Sequence, residues 1–286
     1  MKKIKDRSSF YNYYHCYSST VSNILDIPEI EILYHVRLLE LQINYQTKAL
    51  SSILYSITDE FVNNNCNYEN IRGEQILDKL TSIEEGKYCL LTSTKNLIYC
   101  DTFQKYADIL HFVTLEKRGN CFYIKDNFNG VEFFELVNIQ KFDFTDSILT
   151  VLSLNNKNIN NKRQIGIHEI VSWYEENNKD NIYRKYANYL KKNGITIDTV
   201  KSFTINGLLS SRLAFLYLLK QQNYITSEEY SFYSDRLIFN AEYIKLLLVK
   251  LHFRKKDRDM DKVISLLYEF EAIEKQVIYI TRNHLK

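Results

Sequence analysis

Three residues of this chain, far apart in sequence, have the types needed for nucleophilic acyl chemistry: Cys16, His111 and Asp126. Cys16 stands in YNYYHCYSSTVSNIL, between an aromatic cluster and a run of small hydroxyl residues that opens into an apolar helical pattern. A nucleophilic cysteine needs a means of lowering its thiol pKa, an imidazole to hold and pass a proton, and a group to orient that imidazole. A helix start supplies the first, because its unpaired N–H groups and its dipole favour negative charge. The same N–H groups can hold the oxyanion of a tetrahedral intermediate.

His111 begins the predicted strand HFVTLEK, and Asp126 ends the next one, NCFYIKD, across the turn Arg118-Gly119-Asn120. Antiparallel strands joined by a short turn bring the start of one beside the end of the other. Asp126 is therefore expected next to His111, within reach of its Nδ1–H. His15 neighbours Cys16 but should point elsewhere, toward substrate or into structure. Cys89, Cys100 and Cys121 fall in predicted strands and read as core. A Cys100–His111 pair lacks metal-ligand spacing, so no metal is expected.

The elements that must position this triad can be read from periodicity. Tyr17 to Leu25 reads as a short helix stopped before Pro28, since the residue before a proline is pushed out of helical geometry. Ile32, Val36, Leu39, Ile43, Leu50, Leu54 and Ile57 recur at helical intervals and predict helix over 29–61. Asn63, Asn64 and Asn65 mark a loop, and 74–83 reads as another helix. From Gly86 the period changes: KYCLLTS, NLIYC, HFVTLEKRGNCFYIKD and VEFFEL are short, β-branched and aromatic, with turn chemistry at 118–120 and 127–130. A small antiparallel sheet over 88–154, following helices, gives an α+β class.

The polar run NNKNINNKR, 155–163, reads as a linker. Beyond it, Leu237, Ala241, Ile244, Leu247, Leu248 and Leu251 form one helical stripe. Val263, Leu266, Leu267, Phe270, Ile273, Val277 and Ile280 form another. The predicted organisation is a catalytic domain over 1–154, the linker, and a helical C-terminal domain over 164–286.

Composition narrows the functional classes. A formal net charge of +2 over 286 residues, with basic and acidic residues interspersed, gives no nucleic-acid footprint. No apolar run reaches membrane-spanning length, and the basic N-terminus lacks the apolar core of a signal peptide. Five cysteines without CxxC spacing argue against a disulfide framework and for a reducing, cytoplasmic setting.

The order of Cys at a helix start, helices, His on one strand and Asp on the next resembles the papain-like fold. As it stands, HCYSSTVSNIL … HFVTLEKRGNCFYIKDN is similar to the pattern of the butirosin biosynthesis protein H family, with some likeness to the bacteriocin-processing cysteine peptidases. The likeness covers about 9–154, and the family's C-terminal helical extension agrees with the helical tail. It implies Cys16 as nucleophile, His111 as general base and acid, and Asp126 as the orienting residue. It also implies an acyltransferase that takes an acyl group from an acyl or peptidyl carrier-protein thioester and places it on a small amine in antibiotic-type biosynthesis. The phosphopantetheine arm would arrive with the substrate, with no bound cofactor.

The chain departs from papain-like enzymes in having Phe10 where a glutamine oxyanion donor usually stands, with no glutamine before Cys16. Ser9, Asn12, His15 and Asn127 are the candidates to replace it or to meet substrate. The basic segment HFRKKDRDMDK, 252–262, is either a solvated connection between helices or, through Arg254, Lys255, Lys256 and Arg258, a docking site for an acidic carrier protein. The other readings are a cysteine peptidase or amidase using the same triad, and a non-catalytic binding module.

Overall fold

A computed structural model of the chain describes residues 3–4, 16–97, 99, 110–128, 131–155, 166–178, 181–203, 205–254 and 257–284. The α+β class holds, and the chain divides into two units. The first takes Met1–Ile32 and Thr58–Arg163; the second takes Leu33–Ile57 and Gln164–Lys286. Residues 33–57, read from sequence as part of the N-terminal domain, thus group with the C-terminal helices. Of the predicted linker, only Asn155 is described.

In the first unit, α1 spans Cys16–Leu25, with the cysteine as its first described residue. It ends as the sequence suggested, with a specific closure: Asp26 adopts φ 55°, and the Ile27 N–H turns back to the Ser22 carbonyl at 3.3 Å. Pro28 then leads into the short α2 (Glu29–Leu33). The sheet holds β1 (Lys3–Ile4), β4 (Cys66–Arg72), β5 (Gly86–Ser93), β6 (Leu110–Arg118), β7 (Cys121–Phe128), β8 (Val131–Val137) and β9 (Ile148–Leu154). Its order is β1-β8-β7-β6-β5-β9-β4, with every pair antiparallel.

Strand alternation divides the core into two layers. Tyr88, Leu90, Val113, Leu115, Phe122, Ile124 and Leu149 pack with Ile76 and Leu80 of α4 (Gln75–Ser82). Cys66, Cys89 and Leu152 pack with Tyr17 and Val21 of α1 and with Val62 of α3 (Leu54–Asn65). Gly119, at φ 56°, makes the two-residue turn that pairs Arg118 with Cys121.

Three local readings are corrected. Helix over 29–61 gives way to a hairpin in the second unit, β2 (Leu41–Asn44) with β3 (Ala49–Ser52), where Ile43 faces Leu50. The Asn44 side chain accepts from the Gln46 and Thr47 N–H groups at 3.0 Å, and Lys48 takes φ 55°, a local turn that outcompetes helix. Asn63 to Asn65 end α3 instead of forming a loop; Asn65 Nδ2 donates to the Phe61 carbonyl at 2.7 Å. NLIYC is not a strand in its described part, since β5 stops at Ser93 and a 3₁₀ turn covers Thr94–Asn96.

The second unit adds α5 (Ile167–Asn177), α6 (Ile182–Asn193), α7 (Ile197–Ser202), α8 (Ile205–Gln221), α9 (Ser227–Arg254) and α10 (Asp257–His284). The buried stripe of α9 is the predicted one, Leu237 to Leu251; in α10, Leu266 and Ile280 are only half-buried. The hairpin is tied to α6: Tyr186 OH donates to the Lys48 carbonyl, and Tyr189 OH to the Tyr45 carbonyl, both at 3.0 Å. Lys245 of α9 donates to the carbonyls of Val200 and Phe203, closing the end of α7, and burial pushes its ammonium down to about 8.

Candidate active site

Two element starts meet in the first unit. Tyr17, the residue after Cys16, stacks on Phe112, the residue after His111, with ring centroids 4.3 Å apart and planes 22° from parallel. This stack sets the N-terminal turn of α1 against the start of β6, close enough for the Cys16 thiol to act on the His111 ring. On the far side, His111 Nε2 lies 2.8 Å from Asp126 Oδ2. Thr114 pairs with Lys125, so Asp126, the next residue, turns to the opposite face, where His111 also lies as a diagonal neighbour.

The contacting nitrogen is Nε2, where Nδ1 was expected. Because a carboxylate only accepts, Nε2 carries the proton, which leaves Nδ1 as the nitrogen for the Cys16 sulfur. One ring therefore faces both the Cys16 sulfur and the Asp126 carboxylate.

The electrostatics follow from burial. Desolvation alone pulls the imidazole of His111 down. The charge on Asp126, then that of a Cys16 thiolate, and hydrogen bonds to both outweigh it, holding His111 well above the ordinary imidazole range. Cys89, buried below the site on β5, is pushed up, first by burial and then by the charge on Cys16. It is a core thiol that stays protonated.

Sequence reasoning missed a fourth member. Tyr99 OH donates to Asp126 Oδ2 at 2.8 Å, the same oxygen that His111 meets. With 23 tyrosines in the chain, no signal singled this one out. Thr92 and Asn96 form a further missed support. Thr92 stands opposite His111 in the register, and its hydroxyl meets Ser147 Oγ and Asn96 Nδ2, each at 3.0 Å. Asn96 also donates to the Asp143 carbonyl at 2.7 Å. Helix α1 is anchored through Asn23, whose carbonyl accepts from Lys87 Nζ at 3.0 Å and whose Oδ1 accepts from Lys125 Nζ at 2.9 Å.

Tyr99→Phe removes the phenol donor and leaves the ring. Asp126 then concentrates its charge on His111, so the imidazole titration, followed by NMR of its ring protons, is expected to move to higher pH. The fold should lose about 1 kcal/mol, a typical hydrogen-bond contribution. A midpoint that is unchanged or lower contradicts this arrangement.

The other candidates divide as follows. Ser9, Asn12, His15, Lys255 and Lys256 lie outside the described residues, as does Cys100. Asn127 continues β7 beside Asp126, with its side chain outside the described set. Arg254 ends α9 and Arg258 stands in the first turn of α10, both exposed. Cys121 is exposed, contrary to its reading as core, because it flanks the β6–β7 turn. Among the described residues no group of three His, Cys, Asp or Glu side chains could hold a metal ion, and no helix is long and apolar enough to cross a membrane. A scan against protein-family models finds no match, and no curated protein matches the chain.

Proposed function

We propose that the chain is a cysteine-dependent acyltransferase of papain-like type that forms an amide bond, moving an acyl group from a carrier-protein thioester to a small amine. The observation that carries this reading is the His111 ring held between Cys16, at the first residue of α1, and the buried Asp126. In the first half-reaction the Cys16 thiolate bonds to the acyl carbon, the carbon–sulfur bond to the carrier breaks, and His111 gives its Nδ1 proton to the departing thiol. In the second, the amine nitrogen bonds to the same carbon, His111 takes the amine proton, and Cys16 leaves as thiolate. Backbone N–H groups in the first turn of α1 serve as oxyanion donors.

Half-exposure of Cys16 beside a largely covered imidazole and a buried carboxylate favours transfer over hydrolysis, since a shielded base gives water little access. The exposed Arg254 and Arg258 support docking of an acidic carrier protein near 252–262. Free cysteines at 16, 66, 89 and 121 suit a reducing cytoplasm.

The test is intact-mass analysis after incubation with a small acyl thioester. The expected result is one acyl adduct on Cys16, absent in Cys16→Ala and discharged faster by added amines than by water. No adduct, or one that persists in Cys16→Ala, overturns the proposal. Discharge by water alone converts it to a hydrolase.

A further inference from the structure

Helix α9 carries two apolar faces, and its own unit buries one of them. Leu237, Ile244, Leu248 and Leu251 are buried in the bundle. On the other side, Phe232, Phe239, Leu246 and Phe253 follow one another at intervals of seven residues and are 53%, 63%, 48% and 76% exposed. A repeat of seven keeps residues on one seam of a helix. Three exposed phenylalanines and a leucine along a helix about 42 Å long make a row of exposed apolar side chains of the kind that marks an interface. The rings are already ordered by neighbours: Arg236 lies over Phe232 at 5.4 Å, Tyr243 packs on Phe239 at 5.9 Å, and His252 on Phe253 at 5.0 Å.

The charges beside the stripe are segregated along the helix apart from Arg236, which is already paired with Glu269 of α10 at 2.6 Å. Glu228, Asp235 and Glu242 follow the same seven-residue interval on the exposed face, in the N-terminal and central turns. Lys250 and Arg254 occupy the C-terminal turns. We propose that α9 pairs antiparallel with α9 of a second copy of this chain, about a two-fold axis near residues 242 and 243. That arrangement sets Phe232 against Phe253 of the partner subunit and Phe239 against Leu246 of the partner subunit. It also sets Asp235 against Lys250 of the partner subunit, and aligns the two helix dipoles favourably.

A parallel pairing would place Asp235 against its own copy, which costs affinity through like-charge contact. An acidic protein or an anionic lipid surface laid along the whole stripe would meet the three carboxylates. The self-complementary pattern of an isologous interface is the one that satisfies both halves.

The experiment is sedimentation equilibrium on the full chain. Wild type should sediment as a dimer at micromolar concentrations. Phe239→Glu should be a monomer with an unchanged helical circular-dichroism spectrum, since the side chain is exposed. Asp235→Lys and Lys250→Asp should each weaken association by about tenfold, and the double reversal should restore it, an outcome particular to the antiparallel register. A wild-type monomer, with or without co-sedimentation with anionic lipid vesicles, overturns the proposal. So does a dimer that survives Phe239→Glu, or a double reversal no tighter than the single changes.

Discussion

His111→Ala is expected to slow acylation of Cys16 by a small thioester by about 10²–10⁴-fold, the usual contribution of a positioned general acid–base. The accompanying pH profile separates this role from a structural one. Asp126 and Cys16 hold the wild-type imidazole well above its ordinary value, so the imidazolium survives past neutrality. The acylation rate should therefore hold through neutral pH and fall only as pH rises through that raised value. Asp126→Asn keeps an acceptor for the Nε2 proton but removes the charge, so the alkaline fall should move to lower pH. Folding is linked to the same group. Because the folded value is raised, this stabilisation is fully present below the unfolded imidazole value, about 6.5, and is lost as pH rises through the folded one. The stability gap between wild type and Asp126→Asn, from urea denaturation, should thus be wide at acid-neutral pH and narrow on the alkaline side. An alkaline limb that does not move in Asp126→Asn removes His111 from the chemistry.

Strands β6, β7 and β8 were legible because alternation and turn chemistry agree there: Gly119 must take a positive φ, and the flanking residues alternate. The β2–β3 hairpin was not, because Ile43, Leu50 and Ile57 are seven apart, a spacing that suits a helix as well as a hairpin. What decides is the Asn44 side chain capturing two backbone N–H groups, a local competition that periodicity does not see. Strand β4 was missed for a different reason. It is an edge strand whose residues 67–70 are all exposed, so NYEN carries no alternating pattern.

The site was legible to the extent that hairpin geometry turns spacing into contact. A short turn between two antiparallel strands is enough to bring Asp126 to His111. The choice of ring nitrogen was beyond that argument, because it depends on where Cys16 lies, which tertiary contacts such as the Tyr17–Phe112 stack and the Asn23 anchors set. Tyr99 reaches Asp126 from NLIYC, a segment that reads as strand in sequence but is a turn at Tyr99, so its role follows from tertiary placement alone.

Glu274→Ala is expected to destabilise the second unit by about 3–5 kcal/mol, the penalty for stranding a buried charge. Arg212 and Glu274 are 2% and 6% exposed, and Arg212 Nε donates to Glu274 Oε1 at 2.5 Å. Arg212 also donates to Ser211 Oγ at 2.7 Å and to the Leu39 carbonyl at 3.0 Å. Tyr183 and Tyr174 donate their phenol protons to the two Glu274 oxygens, Tyr174 at 2.8 Å. Removing the carboxylate leaves a buried guanidinium and two phenols without that acceptor. Burial first, and the nearby Glu274 charge as well, push both phenols up. The native state therefore keeps them protonated, and stability should decline as pH passes the ordinary phenol value of about 10. A paired replacement, Arg212→Met with Glu274→Leu, removes the charges together and should recover most of the loss, because a buried ion pair exchanged for apolar side chains is often neutral. Urea unfolding of the single and double variants reads both results. A Glu274→Ala loss below 1 kcal/mol would mean that the cluster is hydrated and not a closed ion pair.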